Sequence, residues 1–462
     1  MTPEQREAIR ANAKYLKRVR PIDPDEIHEY VDGQPHPSAV RQVLREAAVD
    51  LGLIERADGT FTPVDDGPIE PDGEVSRFPE PYANLLLDRL VDRYGIDWAS
   101  DDSGDNLRSV IRQFKAEYFD GMSVSYDEDT AFGYAIYHLP ATYASFWYVI
   151  DELARSSLLP RQLRVLDVGA GVGGPAVALY DFLTDEALVD YHAVEPSAAA
   201  DLLETMIDET GPNFHTTIHR TTAEAFDPPG EFDLVCFVNV LSELGRPAET
   251  VERYGDSLDG EGSIVAIEPA DRETSIGLRR IERTVVDGLT VYSPTIRLWP
   301  DREPESRCWS FDVKPDLEVP EFQQRLDSSG DSAGEFVNVD VQYSYAILRP
   351  DGSQRVEYVP DPDRFAKMAE MERHVTDRID LVGIKLSHDL SDDGHPLFLI
   401  GDGSEQVDHF AVLTNQTSLN RPLEKAAYGS LLVLKNVLVL WNDDEGAYNL
   451  VVDDEATVDS VR

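Results

Sequence analysis

The most regular alternation of apolar and polar segments runs from residue 164 to residue 270. Five apolar runs of strand length are separated there by segments with helical spacing. The runs that predict strands are RVLDVGA, DYHAVEP, NFHTTIHR, FDLVCFVNV and GSIVAIEPA. Strands that alternate with helices indicate βαβ units and a mainly parallel, doubly wound sheet. The predicted fold class is therefore α/β, with a Rossmann-like sheet.

Helical spacing dominates the chain before that sheet. The run PSAVRQVLREAAVDLGLI predicts an amphipathic helix, and IERADGTFTPV predicts a hairpin around Asp58-Gly59. Together they indicate a small helical or winged-helix-like domain over residues 1–70. The segment 65–81 is rich in Pro, Gly and acidic residues and predicts a linker. Residues 71–160 then form a predicted helical region that precedes the sheet.

The pattern changes twice after residue 270. Residues 271–335 are rich in Pro and charge and predict an insertion in the sheet domain, which spans 161–350. Residues 337–350 predict a late strand pair at the sheet edge, and 351–374 predict a linker helix. From 375 to 462, strand-like runs separated by Gly, Asp and Asn turns predict a small β-barrel of the OB type.

The composition limits the class of protein. The chain has 462 residues, 42% of them hydrophobic, which is enough for about three domains with apolar cores. No run reaches the roughly 20 apolar residues of a membrane span, and residues 1–20 lack the apolar centre of a signal peptide. Two cysteines are too few for a disulfide framework and fit a reducing compartment. We therefore expect a cytoplasmic protein with no membrane partner.

The net charge of -47 is extreme and is spread over the whole chain. Lysine supplies only eight of the 41 basic residues. This balance is typical of proteins from salt-accumulating halophiles, because multimolar salt shortens the Debye length to about 3 Å or less and screens the repulsion. We therefore expect a halophilic origin, and the acidic charge does not exclude a nucleic-acid partner.

The turn after the first strand of the sheet, DVGAGVGG, carries the candidate chemistry. Gly169, Gly171 and Gly173 suit a turn with positive φ that lets a ligand approach the backbone closely. Asp167 precedes them and is placed to interact with a cationic amine or with ordered water near the amino-acid half of a cofactor. Glu195 ends the second strand and is placed to accept hydrogen bonds from both ribose hydroxyls of an adenosine. A ligand with adenosine and an amino acid but no phosphate fits better than NAD.

The run LDVGAGVGG resembles motif I of class I S-adenosylmethionine-dependent methyltransferases. The resemblance implies that S-adenosylmethionine is the cofactor and that the acids and glycines just described bind it. It also implies that Glu224, in TTAEAFDP, belongs to the adenine-contacting loop. Asn239, at the end of FDLVCFVNV, would face the methyl-transfer site as the candidate catalytic residue. The alternatives are a solvent-exposed acid at Glu224 and a helix cap at Asn239.

Four further runs narrow the resemblance: YAIYHLPATYAS, NVLSEL, EPADRETS and QYSYAILR. They look like the mitochondrial small-ribosomal-subunit methyltransferase-like family and its archaeal relatives, over roughly residues 75–350. The resemblance implies association with the small ribosomal subunit or its RNA, in assembly or translation. Those relatives hold an iron–sulfur centre, which needs about four thiolates. The matching stretch here offers only Cys308, so we predict no metal.

Three functions are compatible with the sequence. The first is an RNA methyltransferase. The second is a non-catalytic ribosome assembly factor that keeps the fold, because no Pro-Pro-aromatic clamp follows Asn239. The third, and weakest, is a small-molecule methyltransferase.

The barrel would contact single-stranded RNA if aromatic and basic side chains lined one groove, and docking to a protein is the alternative. The candidates are Phe398, Phe410, Tyr428, Trp441, Lys385, Arg421, Lys425 and Lys435.

Overall fold

The computed structural model describes residues 1–119, 126–299, 302, 304–305, 307–330 and 332–461. The chain divides into two compact units. Unit 1 comprises Met1–Val238 and Asp316–Asp340, and unit 2 comprises Asn239–Pro315 and Val341–Arg462. The domain boundaries expected from the sequence stay predictions, because this division groups the chain differently.

The helices and strands follow in chain order. The α-helices are α1 (Pro3–Leu16), α2 (Pro24–Ile27), α3 (Pro37–Glu46), α4 (Ala48–Leu51), α5 (Glu80–Tyr94), α6 (Asp102–Phe119), α7 (Glu128–Arg155), α8 (Gly174–Leu183), α9 (Ala199–Ile207), α10 (Pro247–Gly255), α11 (Arg272–Thr284), α12 (Glu321–Ser328) and α13 (Pro422–Lys425). The strands are β1 (Leu53–Glu55), β2 (Phe61–Pro63), β3 (Gln162–Val168), β4 (Leu188–Val194), β5 (Phe214–His219), β6 (Phe232–Val238), β7 (Leu258–Pro269), β8 (Thr290–Ser293), β9 (Asp312–Lys314), β10 (Val341–Arg349), β11 (Arg378–Lys385), β12 (Leu397–Gly401), β13 (His409–Leu413), β14 (Leu431–Asn442), β15 (Ala447–Val452) and β16 (Thr457–Ser460).

In unit 1, four parallel strands lie in the order β5-β4-β3-β6. The chain moves outward from β3 to β5 and then returns to the other side of β3, which makes the carboxyl end of β3 a topological switch point. Helix α8 packs against α7 and α9. The strands predicted from the apolar runs are confirmed, and the switch point carries the glycine turn.

The N-terminal part of unit 1 is a helical cluster with one hairpin. An apolar core joins α1, α2 and α3 to β1 and β2, which pair in antiparallel fashion around a Gly59 with φ 83°. The side chain of Asn213 binds the backbone N–H and C=O of Glu55 at 2.7 and 3.1 Å, and so fastens the hairpin to the start of β5. The predicted hairpin is confirmed.

In unit 2, β10 pairs in antiparallel fashion with β7, β8 and β9. The predicted strand pair at 337–350 is wrong, because this segment contains the single strand β10. The backbone N–H of Asn338 donates to the side chain of Gln323 at 3.0 Å instead of to a neighbouring strand.

The C-terminal part of unit 2 is a closed barrel. Its strands follow the order β11-β12-β13-β15-β14, and β14 pairs with β11 to close the ring. Strands β13 and β15 are parallel, whereas the other pairs are antiparallel. The expected OB-like barrel is confirmed. Strand β16, which pairs with β14, was not predicted.

The predicted linker helix over 351–374 is wrong. Only Met368–His374 is helical, as a 3-10 helix with a non-helical Glu370. The backbone N–H of Met368 donates to Asp402 at 2.9 Å, and that of Ala369 donates to Ser404 at 3.1 Å. Because Asp402 and Ser404, in the loop after β12, accept these two N–H groups, the groups cannot bond to carbonyls of a preceding α-helical turn. Within the described ranges, none of the helices has the length and hydropathy of a membrane span.

Gly173 allows a test of the packing at the switch point. Its φ is 93°, and an added Cβ would lie 2.8 Å from Leu203 Cδ1. We expect Gly173→Ala to lower the free energy of unfolding by about 1–3 kcal/mol, because the backbone and the contact are both strained. Urea unfolding followed by circular dichroism measures the effect.

The matched control is Gly277→Ala, in α11, where an added Cβ meets nothing within 4 Å. Alanine favours a helix interior by up to about 1 kcal/mol, so this variant should be as stable as the parent or more so. Equal unfolding midpoints for Gly173→Ala and the parent protein would contradict the strain argument.

Candidate functional site

The candidate site in unit 1 lies where the chain leaves β3. Gly169, Gly171 and Gly173 have φ values of 75°, 54° and 93°, which side chains other than glycine rarely adopt. The N–H groups of Gly169 and Ala170 donate to the carbonyl of Val194 at 2.9 and 3.2 Å. The turn is thereby fastened to the end of β4 before α8 begins.

The space beside Gly171 is open. A Cβ built on Gly171 would meet only the carbonyl oxygen of Gly169, at 4.0 Å. By contrast, Gly173 packs closely against α9. The middle of the turn can therefore receive a ligand, and its end packs against the protein.

The carboxylate of Glu195 holds this turn in place. One oxygen, Oε2, accepts from the N–H of Gly171 at 2.8 Å, and the other accepts from the N–H of Ser197 at 2.9 Å. The Glu195 side chain is 7% exposed, and its own N–H donates to His219 O at 3.0 Å. Each carboxylate oxygen keeps a further lone pair, so the same group can still accept a hydroxyl donor.

Asp167 is fully buried at the end of β3. Its Oδ2 accepts from the hydroxyl of Tyr191 at 2.5 Å, whereas its Oδ1 has no hydrogen-bond partner among the described residues. Burial, with a smaller contribution from the charge of Glu195, raises the pKa of Asp167 to about 7, and the Tyr191 hydrogen bond acts in the opposite direction. A buried oxygen without a partner needs a donor, which a ligand or a water would supply.

The two remaining predicted residues lie elsewhere. Glu224 is exposed on the turn that follows β5. Asn239 is the first residue of unit 2, has a φ of 55°, and donates its N–H to Ile267 O at 2.8 Å. The roles of Glu224 and Asn239 stay predictions.

The sequence analysis missed two residues at the glycine turn. Tyr191 bonds Asp167, and the backbone of Ser197 bonds Glu195. Asp167 of β3 lies opposite Ala193 of β4 in the parallel register. Tyr191 precedes Ala193 by two residues, and side chains two residues apart on a strand point to the same face of the sheet, so Tyr191 lies on the same face as Asp167. That signal was available in the sequence, whereas nothing in the sequence pointed to Ser197.

Two barrel residues proposed for RNA contact are internal instead. Phe398 is 2% exposed and belongs to the barrel core. Lys385 is 4% exposed, and its Nζ donates to the carbonyls of Glu424 and Ala426 at 3.1 and 2.8 Å. These two predictions are wrong. Trp441 is 41% exposed and lies edge-on to Tyr448, with ring centroids 4.8 Å apart.

Both cysteines are buried and free, and burial raises the pKa of each thiol. Among the described residues, no group of three or more His, Cys, Asp or Glu side chains could hold a metal ion.

Three parts of the chain match family models. Residues 140–318 match a methyltransferase domain. Residues 6–57 and 369–461 match the N-terminal and C-terminal domains of a domain of unknown function (DUF8157). No protein of curated function matches the chain significantly.

Several solved methyltransferase structures resemble parts of the chain. The sugar N-methyltransferase KedS8 from Streptoalloteichus sp ATCC 53650 is 21% identical over 27% of this chain and 47% of its own, with a TM-score of 0.22. The mitomycin 7-O-methyltransferase MmcR is 13% identical over 63% and 88%, with a TM-score of 0.31. The plantazolicin methyltransferase BpumL, in complex with SAH, is 11% identical over 58% and 98%, with a TM-score of 0.27. The chain spans about half the length of KedS8. Scores this low say nothing about the substrate.

Residues 140–318 therefore match a methyltransferase domain, and the cofactor to test against the glycine turn is S-adenosylmethionine. The residues at the glycine turn fit this cofactor on two observations. The partnerless Oδ1 of Asp167 is free to accept an ammonium N–H, and the space beside Gly171 is open. Glu195 keeps acceptor capacity for hydroxyl groups.

Asp167 should make cofactor binding depend on pH. In the role predicted for Asp167, the cofactor's ammonium group would bind the ionised carboxylate, and burial has raised the pKa of Asp167 to about 7. We expect affinity to increase as pH rises from about 5 to about 7, by up to about tenfold per unit below the pKa, because Asp167 ionises over this range while the cofactor's ammonium group, with an ordinary pKa of about 7.7–8.0, keeps its proton. Calorimetric titration measures this, with Asp167→Asn losing the dependence.

Glu195→Gln is the control for this prediction. It should weaken cofactor binding at every pH and keep a pH dependence, because Asp167 remains, but the profile should move to lower pH, because the charge of Glu195 no longer raises the pKa of Asp167. A pH-independent affinity of the parent protein would contradict the role given to Asp167.

Proposed function

We propose that this protein is an S-adenosylmethionine-dependent methyltransferase. The observation that carries the proposal is the pairing of Glu195 with the N–H of Gly171 at 2.8 Å, beside a buried Asp167 with one partnerless oxygen. Glu195 and Asp167 offer acceptors to an adenosine and to an amino acid. Neither is a basic side chain of the kind that would bind a phosphate. The methyltransferase-domain match over residues 140–318 supports the same function.

In the proposed mechanism, the chain's residues bind and orient, while the cofactor's sulfonium supplies the reactive methyl group. Glu195 would accept from the ribose hydroxyls, and Asp167 would accept from the ammonium group. Asn239 is proposed to face the acceptor. Methyl transfer needs an in-line approach at about 3–3.5 Å and exclusion of water, so it requires positioning and no particular base.

We propose that the acceptor is small-subunit ribosomal RNA, and that the protein acts in ribosome assembly or translation in the cytoplasm of a halophile. The resemblance of the four runs in the sequence supports this acceptor, and so does the OB-like barrel, because such barrels often bind single strands. Trp441, exposed beside Tyr448, is the best remaining stacking residue in that barrel. The strongly acidic charge supports the halophilic origin.

The first experiment is calorimetric titration of S-adenosylmethionine into the full chain in concentrated KCl. We expect micromolar binding by the parent protein and a loss of at least about tenfold in Asp167→Ala and in Glu195→Ala, since each removes a charge-assisted contact. Glu209→Ala, an exposed acid at the end of α9, is the matched control and should bind normally. Absence of binding by a folded parent protein would overturn the proposal.

The acceptor is tested by transfer of labelled methyl groups to small ribosomal subunits prepared from cells that lack this protein. We expect label in the RNA with the parent protein and none with Asp167→Ala. If the protein binds both the cofactor and the subunit but transfers no label, it is a non-catalytic assembly factor and the RNA methyltransferase proposal is wrong.

A further inference from the structure

A cavity of about 420 Å³ lies within unit 2. It is bounded by the 3-10 helix Leu241–Glu243, the beginning of α10 and one side of α11. Much of its wall is aliphatic and comes from Leu241, Leu244, Pro247, Ala248, Leu278 and Ile281. A volume of this size is in the range of small-molecule sites, about 300–1,000 Å³.

A buried carboxyl group, Glu268, lies at the wall of this cavity. It is 1% exposed, next to the last residue of β7. Its Oε1 accepts from the N–H of Leu241 at 2.7 Å, whereas its Oε2 has no hydrogen-bond partner among the described residues. Burial raises the pKa of Glu268 to about 7, against the lowering effects of Ser242 and the backbone N–H of Leu241. A nearly neutral pH thus leaves a substantial fraction of this group ionised.

The charges around the cavity select the class of ligand. Arg246 pairs with Glu249 at 3.0 Å, both exposed, and Arg280 is exposed on α11. The acid at the inner wall disfavours an anion, and a wholly apolar ligand would leave Oε2 of Glu268 unpaired in a dry site, which is unfavourable. An ammonium group on an aliphatic body satisfies both the carboxyl oxygen and the apolar wall.

We propose that this cavity is a binding site for a small organic ammonium ion, whose N–H group donates to Oε2 of Glu268 while its aliphatic body packs against α11. The ligand would contact Leu241 and Ser242, which follow Asn239 in the chain by two and three residues. The site goes beyond the proposed methyl transfer to RNA and does not depend on it.

The test uses two probes of nearly equal shape, cyclohexylmethylamine and cyclohexylmethanol. Each is titrated into the full chain at neutral pH, and the methyl NMR signals of isoleucine and leucine are followed. We expect the amine to bind at least about tenfold more tightly than the alcohol, because only the amine forms a charge-assisted hydrogen bond. Equal affinities, or no binding of the amine, would overturn the proposal.

Two variants locate the binding. Glu268→Gln should reduce amine affinity about tenfold or more and leave alcohol affinity nearly unchanged. Ile281→Trp should remove binding of both probes by filling the cavity. Glu273→Gln, which alters an exposed acid on α11, the helix that carries Ile281, is the matched control and should bind the amine as the parent protein does.

The readouts separate this inference from the proposed function. Circular dichroism and cofactor titration of each variant establish that it is folded. Amine binding that survives both Glu268→Gln and Ile281→Trp would place the amine elsewhere and overturn the proposal. If Glu268→Gln does not fold, the comparison of the two probes and the Ile281→Trp variant still decides it. Loss of cofactor binding by the parent protein would bear only on the methyltransferase proposal.

Discussion

The hydrogen bond from Gly171 to Glu195 is the interaction on which the candidate site depends. The turn after β3 consists mainly of glycine, and glycine loses more conformational entropy on folding than any other residue. It therefore needs fixed partners, and they come from the end of β4: the carbonyl of Val194 and the carboxylate of Glu195. A hydrogen bond to a charged group contributes about 1.5–3 kcal/mol, enough to offset much of that entropy. The acid that binds the cofactor in our proposal thus also builds the turn.

Asp167 shows the opposite balance, because its burial opposes stability. An ionised carboxylate without a full set of partners is costly in the interior, and here the nearby Glu195 adds like charge. The pKa of about 7 is the result. Groups that break the rules of burial in this way concentrate at functional sites, because a ligand restores the balance. The partnerless Oδ1 of Asp167 is therefore better explained by cofactor binding than by folding.

The sequence predicted those features that local pattern determines. Periodic apolar runs defined β3 to β7, and glycine spacing located the turn, because both depend on residues close together in the chain. It failed where a distant side chain captures the backbone: Gln323 binds Asn338, and Asp402 binds Met368. It also failed for Lys385, whose charge suggested a surface position. The lysine is instead buried, and its ammonium group donates to the carbonyls of Glu424, in α13, and Ala426, just after it. The candidate acids were found in the sequence, but Tyr191, the partner of Asp167, lies on the neighbouring strand and was not.

Each unit carries the same chemical device at the end of a strand. Asp167 and Glu268 are the next-to-last residues of β3 and β7. Each has one oxygen that accepts a hydrogen bond from the protein, one without a partner among the described residues, and a pKa raised to about 7. Apolar strands supply the burial of both groups. A protein with 88 acidic residues on its chain has no need of buried acids for solubility. That two acids stay buried and half-satisfied at strand ends is best explained if each receives a cationic N–H donor, from the cofactor in unit 1 and from an organic ammonium ion in unit 2.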